Sequence, residues 1–304
     1  MRAVAIALAT LLGSSINAAA AQDASVVIET GDVDRFYRIY DAAGGHPRAD
    51  TLQRDYLDQG SEGLQRLARL RNVTGQSIAD AITKRPEMYV QARDCGDVLP
   101  RVRERLAVAL GRLQQAYPQM RSAPITIAVG RGKPVGVGSR ESGVQIGLEA
   151  LCANPWMNPD VEDRFVRVAV HEYAHVQQVV AFSEAEGVTV LAAALEEGAA
   201  EFVTELTTGA VSYAYMAGLV SGREASIETA FAADMDKTEL SDWLYNSTPD
   251  KPADLGYWVG YRIVKAYYQQ ADDKQQALAD IFEMRDPKAF LARSGWRPGT
   301  ALGQ

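Results

Sequence analysis

His171, Glu172 and His175 carry the most specific chemistry in the chain, within the run Val168-Ala169-Val170-His171-Glu172-Tyr173-Ala174-His175-Val176-Gln177-Gln178. On a helix, two residues four apart lie about 40° from each other on one face, so both imidazoles can offer a nitrogen to one metal ion. Neutral imidazole suits Zn²⁺, and a carboxylate beside the pair can take a proton from water as that water attacks a carbonyl. The pattern His-Glu-x-x-His therefore points to metal-assisted hydrolysis.

The bland alternative is a helix with two surface histidines. Periodicity speaks against it: Val161, Phe165, Val168, Glu172, His175 and Val179 follow one another at steps of four or three, a single stripe that begins apolar. Glu172 and His175 thus point toward the core, where a carboxylate without a partner is costly. Asn158 is the expected cap of this helix, with Pro159 in its first position. Asp160, Glu162 and Asp163 complement the positive end of its dipole, and the helix is expected to run to about Phe182.

Two histidines leave a zinc site one protein ligand short. A third histidine at the metzincin spacing is excluded, because Gln178 and Ala181 stand where that signature has glycine and histidine. The next helix offers carboxylates in Leu195-Glu196-Glu197-Gly198-Ala199-Ala200-Glu201-Phe202. Leu191, Leu195, Phe202 and Leu206 form its apolar face. Glu197 and Glu201, four apart, share the other side with Val190, Ala193 and Ala194, small enough for a close approach to the histidine helix. Glu197 is the expected third metal ligand, with Glu201 orienting a histidine from behind it. Glu196 is the alternative ligand, and a solvated acidic face is the reading without metal.

The elements around these helices are mixed. From Val26 to about Ala92 the pattern is helical, with Val33, Phe36, Tyr37 and Tyr40 on one face and Leu64, Leu67 and Leu70 on another. Gly44-Gly45-His46-Pro47 is a break, which makes His46 a solvated loop residue. A further helix spans about Val98 to Tyr117. Ile125 to Val129 and Val144 to Leu148 read as strands. The glycine-rich Gly130 to Gly138 between them lacks the Gly-Lys-Ser/Thr or Gly-x-Gly-x-x-Gly of a phosphate loop, so it reads as a turn or flexible cleft rim. Helices are also expected over about Glu224 to Met235, Thr238 to Tyr245 and Asp273 to Met284.

At its start the chain has one positive charge, an apolar run from Ala3 to Leu12, and small residues ending at Ala21, the pattern of a secretory signal peptide cut after Ala21. No later apolar stretch reaches the length of about 18 residues that a membrane span needs. Removing residues 1–21 deletes Arg2, so the formal net charge of −8 becomes −9. An acidic chain without a basic run is a poor nucleic-acid binder. Cys95 and Cys152, the only cysteines in 304 residues, read either as a disulfide or as two buried free thiols.

The set His171, Glu172, His175, Glu197 and Glu201 resembles the gluzincin branch of zinc metallopeptidases, in which His-Glu-x-x-His is followed on a second helix by Glu-x-x-x-Asp/Glu. More of the chain resembles a bacterial family of predicted zinc-dependent proteases of unknown substrate. That likeness rests on Asp34-Arg35-Phe36-Tyr37, Tyr56-Leu57-Asp58-Gln59-Gly60-Ser61, Glu197-Gly198-Ala199-Ala200-Glu201-Phe202 and Asp254-Leu255-Gly256-Tyr257-Trp258-Val259-Gly260-Tyr261. A zinc peptidase also needs a donor for the developing oxyanion. No histidine follows His175, so tyrosine is the replacement. Tyr257, Tyr261 and Arg262 are offered by one helix, and Tyr257 is favoured because it precedes Gly260 by three, similar to the Tyr-x-Lys-Gly segment of M1-type enzymes. Packing in an aromatic-rich helix is the other reading of these tyrosines. Gly147-Leu148-Glu149-Ala150 resembles the Gly-x-Met-Glu-Asn segment of the same enzymes. Glu149 then either binds a substrate's free amino terminus or faces solvent at a strand end.

These readings combine into an α+β, mostly helical, zincin-like fold with a small sheet at the cleft edge and a C-terminal helical lobe. Expected divisions are the signal peptide at 1–21, a helical region at 22–122 and a metallopeptidase region at 123–304. The last comprises an upper sheet at 123–150, metal-binding helices at 158–208 and the lobe at 209–304. The expected function is an exported zinc metallopeptidase acting on a peptide or protein substrate, with Zn²⁺ as cofactor, and the strand near 144–148 as the edge that binds the peptide backbone. The alternatives are a zinc hydrolase of another amide or ester, and a catalytically silent zincin scaffold that binds or assembles in the cell envelope.

Overall fold

The computed structural model describes residues 26–303, so the expected signal peptide at 1–21 lies outside the described residues. The chain begins with β1 (Ile28–Glu29), followed by α1 (Gly31–Ala42), α2 (Ala49–Thr51) running into a π-helical turn at Leu52–Leu57, α3 (Glu62–Arg71), α4 (Gly75–Lys84), α5 (Pro86–Gly96) and α6 (Leu99–Ala116). The sheet and the site follow: β2 (Ile125–Ala128), β3 (Gly136–Ser139), β4 (Gly143–Gly147), α7 (Leu148–Cys152), α8 (Val161–Gln177) and α9 (Val190–Thr208). The rest is α10 (Met216–Val220), α11 (Glu224–Asp234), α12 (Leu255–Gln270), α13 (Lys274–Phe282) and α14 (Pro287–Ser294). The fold is α+β and mostly helical. One hydrophobic cluster runs through it from Val33 to Trp296.

The sheet has the order β1-β2-β4-β3, with β1, β2 and β4 parallel and β3 antiparallel to β4. This corrects three expectations. Residues Ile28 and Glu29 pair with Ile125 and Thr126, so the helical region does not begin at Val26. The expected edge strand near 144–148 is interior, flanked on both sides, and the edge beside α8 is β3, drawn from the glycine-rich stretch expected to be a turn or flexible cleft rim; it lines the cleft, but as a strand. Its glycines have a steric reason: a Cβ on Gly138 would stand 1.8 Å from the Glu172 carbonyl oxygen, and one on Gly136 would stand 2.8 Å from the Glu172 carboxylate. A strand can lie this close to the helix backbone only without side chains on that face.

The N-terminal helices grip the far end of the sheet. Phe36 packs edge-on to Tyr56. Tyr56 donates to the Val129 carbonyl at 2.6 Å and Tyr89 to that of Gly130 at 3.0 Å. The Asp32 carboxylate accepts from the Ser61 amide at 3.1 Å. Cys95 and Cys152 form a disulfide tying α5 to α7. Leu70, expected on a core face with Leu64 and Leu67, is 53 % exposed. The expected helix over Thr238 to Tyr245 is a set of turns, while a helix not anticipated, α14, closes the C-terminal part.

Candidate metal centre

Helix α8 begins later and ends earlier than expected. Asp160 is its cap, accepting from the Asp163 amide at 2.8 Å, while Asn158 instead accepts from the Asp160 amide at 3.1 Å, a side-chain turn that precedes the helix. Gln178 leaves the helix in an extended conformation. The freed Gln177 carbonyl accepts from Arg140 at 2.9 Å. Tyr173 and Gln177 tie the other face of α8 to the chain entering β2. The Tyr173 hydroxyl accepts from the Ala123 amide at 3.1 Å, and the Gln177 side chain accepts from the Arg121 amide at 2.8 Å.

Helix α9 starts at a Thr189 cap and ends at Gly209 in the left-handed conformation. Its small residues permit a close approach, but to α12. A Cβ on Gly260 would lie 1.7 Å from the Ala194 carbonyl oxygen, and one on Gly198 would lie 2.1 Å from the Gly260 carbonyl carbon. The α9 and α12 backbones are in contact, which fixes the α12 side chains relative to those of α9.

Three atoms converge from α8 and α9. His171 Nε2 lies 3.1 Å from His175 Nε2 and 3.2 Å from Glu197 Oε2, and the third side, His175 Nε2 to Glu197 Oε2, is 3.3 Å. Tetrahedral zinc with bonds of about 2.0–2.1 Å separates neighbouring ligand atoms by ~3.3 Å, so this near-equilateral triangle has the size of one face of such a site. The donor set of two imidazoles and one carboxylate also fits, and these three residues can hold a metal ion.

Each imidazole has a partner behind it. Glu201 Oε1 lies 2.8 Å from His171 Nδ1, off the line of a straight hydrogen bond. Glu201 is itself held by the amide and hydroxyl of Ser212. His175 Nδ1 donates to Gln178 Oε1 at 2.8 Å, and Gln178 donates in turn to the Glu196 carbonyl at 2.7 Å. With the His175 Nδ1 proton given to Gln178, its Nε2 lone pair faces the triangle, and the Glu201 carboxylate beside His171 Nδ1 favours the same tautomer there. Gln178 was not expected in this role; its position three residues after His175 is the signal that could have found it. Glu196, the alternative ligand, turns away and accepts from the Ser183 amide at 2.7 Å.

The electrostatics of the protein without metal follow from this crowding. Burial alone lowers both histidines, but Glu197 and, for His171, Glu201 outweigh it: His171 is pushed well above its usual value and His175 up to about 9. Glu197 is held well below the carboxylate range, where the two imidazoles overcome the effect of its burial. Burial raises Glu172 above an ordinary glutamate, against the pull of His175 and His171.

A cleft of about 680 Å³ opens over the triangle. One wall is Val135 to Glu141, including β3; Glu172 lies at the base, and Trp156, Tyr213, Tyr245 and Tyr257 contribute aromatic surface. Tyr257 is buried, its ring stacked on His171 at 6.1 Å. Tyr261 is elsewhere: its hydroxyl accepts from Lys265 at 2.9 Å, and it lines a separate pocket with Glu205 and Trp258. Arg262 is also away from the cleft, paired with Glu228 and the Thr300 carbonyl. Glu149 is neither a strand-end residue at the surface nor a group facing substrate. It is fully buried in α7, accepting from the Gly130 amide at 2.9 Å and the Gly132 amide at 2.7 Å. Tyr245, absent from the expectations, donates to Glu197 Oε1 at 2.9 Å.

No curated protein and no solved structure matches the chain. Residues 156–286, from the cleft wall through α8, α9 and α12 to the end of α13, match the family described as predicted Zn-dependent protease (DUF2268).

Proposed function

We propose that the protein is an exported zinc metallopeptidase that hydrolyses internal bonds of peptide or protein substrates. The observation that carries this reading is the triangle of His171, His175 and Glu197, with edges of 3.1–3.3 Å, at the base of a cleft that also holds Glu172. The disulfide supports export, since such bonds persist in oxidising compartments. Among the described residues no helix is long and apolar enough to cross a membrane.

Zinc bound at the triangle supplies Lewis acidity, which polarises a carbonyl and makes water more acidic. The chain does the rest. His171, His175 and Glu197 hold the ion, with Glu201 and Gln178 fixing the imidazoles. Glu172 takes the proton of the attacking water and passes it to the leaving amine; its raised pKa brings it closer to the operating pH for both transfers. The free edge of β3 pairs with an extended substrate backbone. Glu149, the carboxylate that resembles an amino-terminus binder, is engaged by Gly130 and Gly132, which favours internal bonds over terminal ones. Tyr257 packs on His171, and Tyr261 takes no part. In this reading residues 123–304 form the peptidase region and 22–122 its helical support.

The test is elemental analysis beside a peptide-library assay. Wild type should carry about one zinc per chain. Glu197→Ala should lose it, Glu196→Ala should keep it, and Glu172→Gln should keep zinc while losing hydrolysis. Hydrolysis retained in zinc-loaded Glu172→Gln would refute the mechanism.

A further inference from the structure

We propose that Tyr245 is the catalytic donor to the carbonyl oxygen of the bond being cut, the role for which the sequence favours Tyr257; this rests on the peptidase reading above. The Tyr245 hydroxyl donates to Glu197 Oε1 at 2.9 Å, while Oε2 of the same carboxylate closes the triangle with the two imidazoles. One carboxylate thus separates the hydroxyl from the place where a substrate carbonyl must be polarised. Among the described residues, no other tyrosine hydrogen-bonds a residue of the triangle.

Accessibility separates the two candidates. Tyr245 is 54 % exposed and lines the cleft, whereas Tyr257 is 7 % exposed. The Tyr257 ring is enclosed by His171, Tyr213 and Tyr245 itself. Tyr257 shapes the wall that holds His171 in plane, and Tyr245 is the hydroxyl a substrate meets.

The backbone adds an independent observation. Tyr245 has φ +57° and Asp254 φ +58°, the left-handed region that residues with side chains seldom occupy. The two bracket one loop and are clasped across it. The Asn246 amide donates to Asp254 Oδ1 and the Asp254 amide to Asn246 Oδ1, both at 2.8 Å. Inside the loop, Ser247 Oγ accepts from the Ala253 amide at 2.8 Å and pairs with the Tyr215 hydroxyl at 3.1 Å. Strain of this kind persists where the surroundings over-determine it, and it concentrates at functional sites. Here its product is the aim of one side chain at Glu197. When a substrate carbonyl arrives, the hydroxyl exchanges its carboxylate acceptor for the oxygen on which negative charge develops, donating without giving up its proton.

The test compares wild type, Tyr245→Phe, Tyr257→Phe and Glu172→Gln as zinc-loaded proteins. The probes are the best-cleaved member of a quenched-fluorescent peptide library and a peptidyl phosphonamidate that mimics the tetrahedral state. Tyr245→Phe should keep its zinc and its Tm, leave KM within about threefold, and lower kcat about 100- to 1,000-fold. Its phosphonamidate affinity should fall by the same factor as kcat/KM, a correlation that a merely structural role does not produce. A kcat within about threefold of wild type while Glu172→Gln is inactive overturns the assignment and leaves the peptidase reading standing. So does a loss that follows loss of zinc or Tm, or a larger kcat loss in Tyr257→Phe. If zinc-loaded wild type cleaves no library peptide, both fall.

Discussion

The two walls of the cleft are built by opposite means. The floor and one wall belong to α8, α9 and α12, regular helices in which His171, His175, Glu197 and Glu201 recur at helical spacing and Glu196 and Glu201 are each held by a neighbouring amide. The remaining lining comes from β3, with glycine at 136 and 138, and from the loop from Tyr245 to Asp254, held by side-chain clasps. Rigidity at the metal comes from helix periodicity and backbone contact. Reach toward a substrate comes from chain that obeys no period, as expected where binding residues are carried on loops fixed to a rigid scaffold.

The largest expected effect attacks the rigid wall where it is tightest. Gly198→Ala places a methyl group 2.1 Å from the Gly260 backbone, so α9 and α12 must part. We expect a loss of about 3 kcal/mol or more, read as a fall in the denaturant midpoint at unchanged m-value. A shift under about 0.5 kcal/mol would show that the helices are not locked together.

A smaller effect tests the bracing. Glu201→Gln keeps the shape but removes the charge behind His171, and should weaken zinc binding about 10- to 100-fold in a competition titration with a chromophoric chelator. An unchanged affinity would mean that His171 is oriented without it.

A third effect is protonic. In the metal-free protein burial lowers His175 but Glu197 outweighs it and pushes it up to about 9, and His171 is also raised. Because zinc must displace these protons, its affinity should fall as pH drops below about 9, by about tenfold per unit for each proton released. The sign for folding is opposite. The raised His175 stabilises metal-free protein fully below about 6.5, and this contribution is lost as pH rises through about 9. Urea midpoints of the metal-free protein across that range check it; a midpoint that does not fall would show that His175 is not paired with Glu197.

The same contrast decides what could be read from the amino acids. Helices α8 and α9 were legible because His171 and His175, and then Glu197 and Glu201, repeat at the helical interval within apolar stripes. The N-cap of α8 was misjudged by two residues, since Asn158 and Asp160 are both good capping types and only the geometry selects between them. Strand β3 was hidden because glycines that allow close packing look the same as glycines that allow a turn. β1 has two residues, too few to show alternation. Leu240, Trp243 and Leu244 are spaced as on a helix, yet their amide bonds close a single turn around the Leu240 carbonyl. Tyr245 follows that turn and had no pattern to announce it. Glu149 was misplaced for another reason: a strand-end glutamate reads as surface, and only the folded chain brings the Gly130 and Gly132 amides to it.

The bridge between Cys95 and Cys152 closes a covalent ring of the chain that contains α6, all of β2, β3 and β4, and hence the β3 side of the cleft. A single backbone cut anywhere from 96 to 151 therefore opens the ring without separating the halves. In the proposed peptidase, a protein exposed to its own activity and to that of its neighbours, nicks in that stretch leave one covalent molecule, which comes apart into two chains only when the disulfide is also reduced.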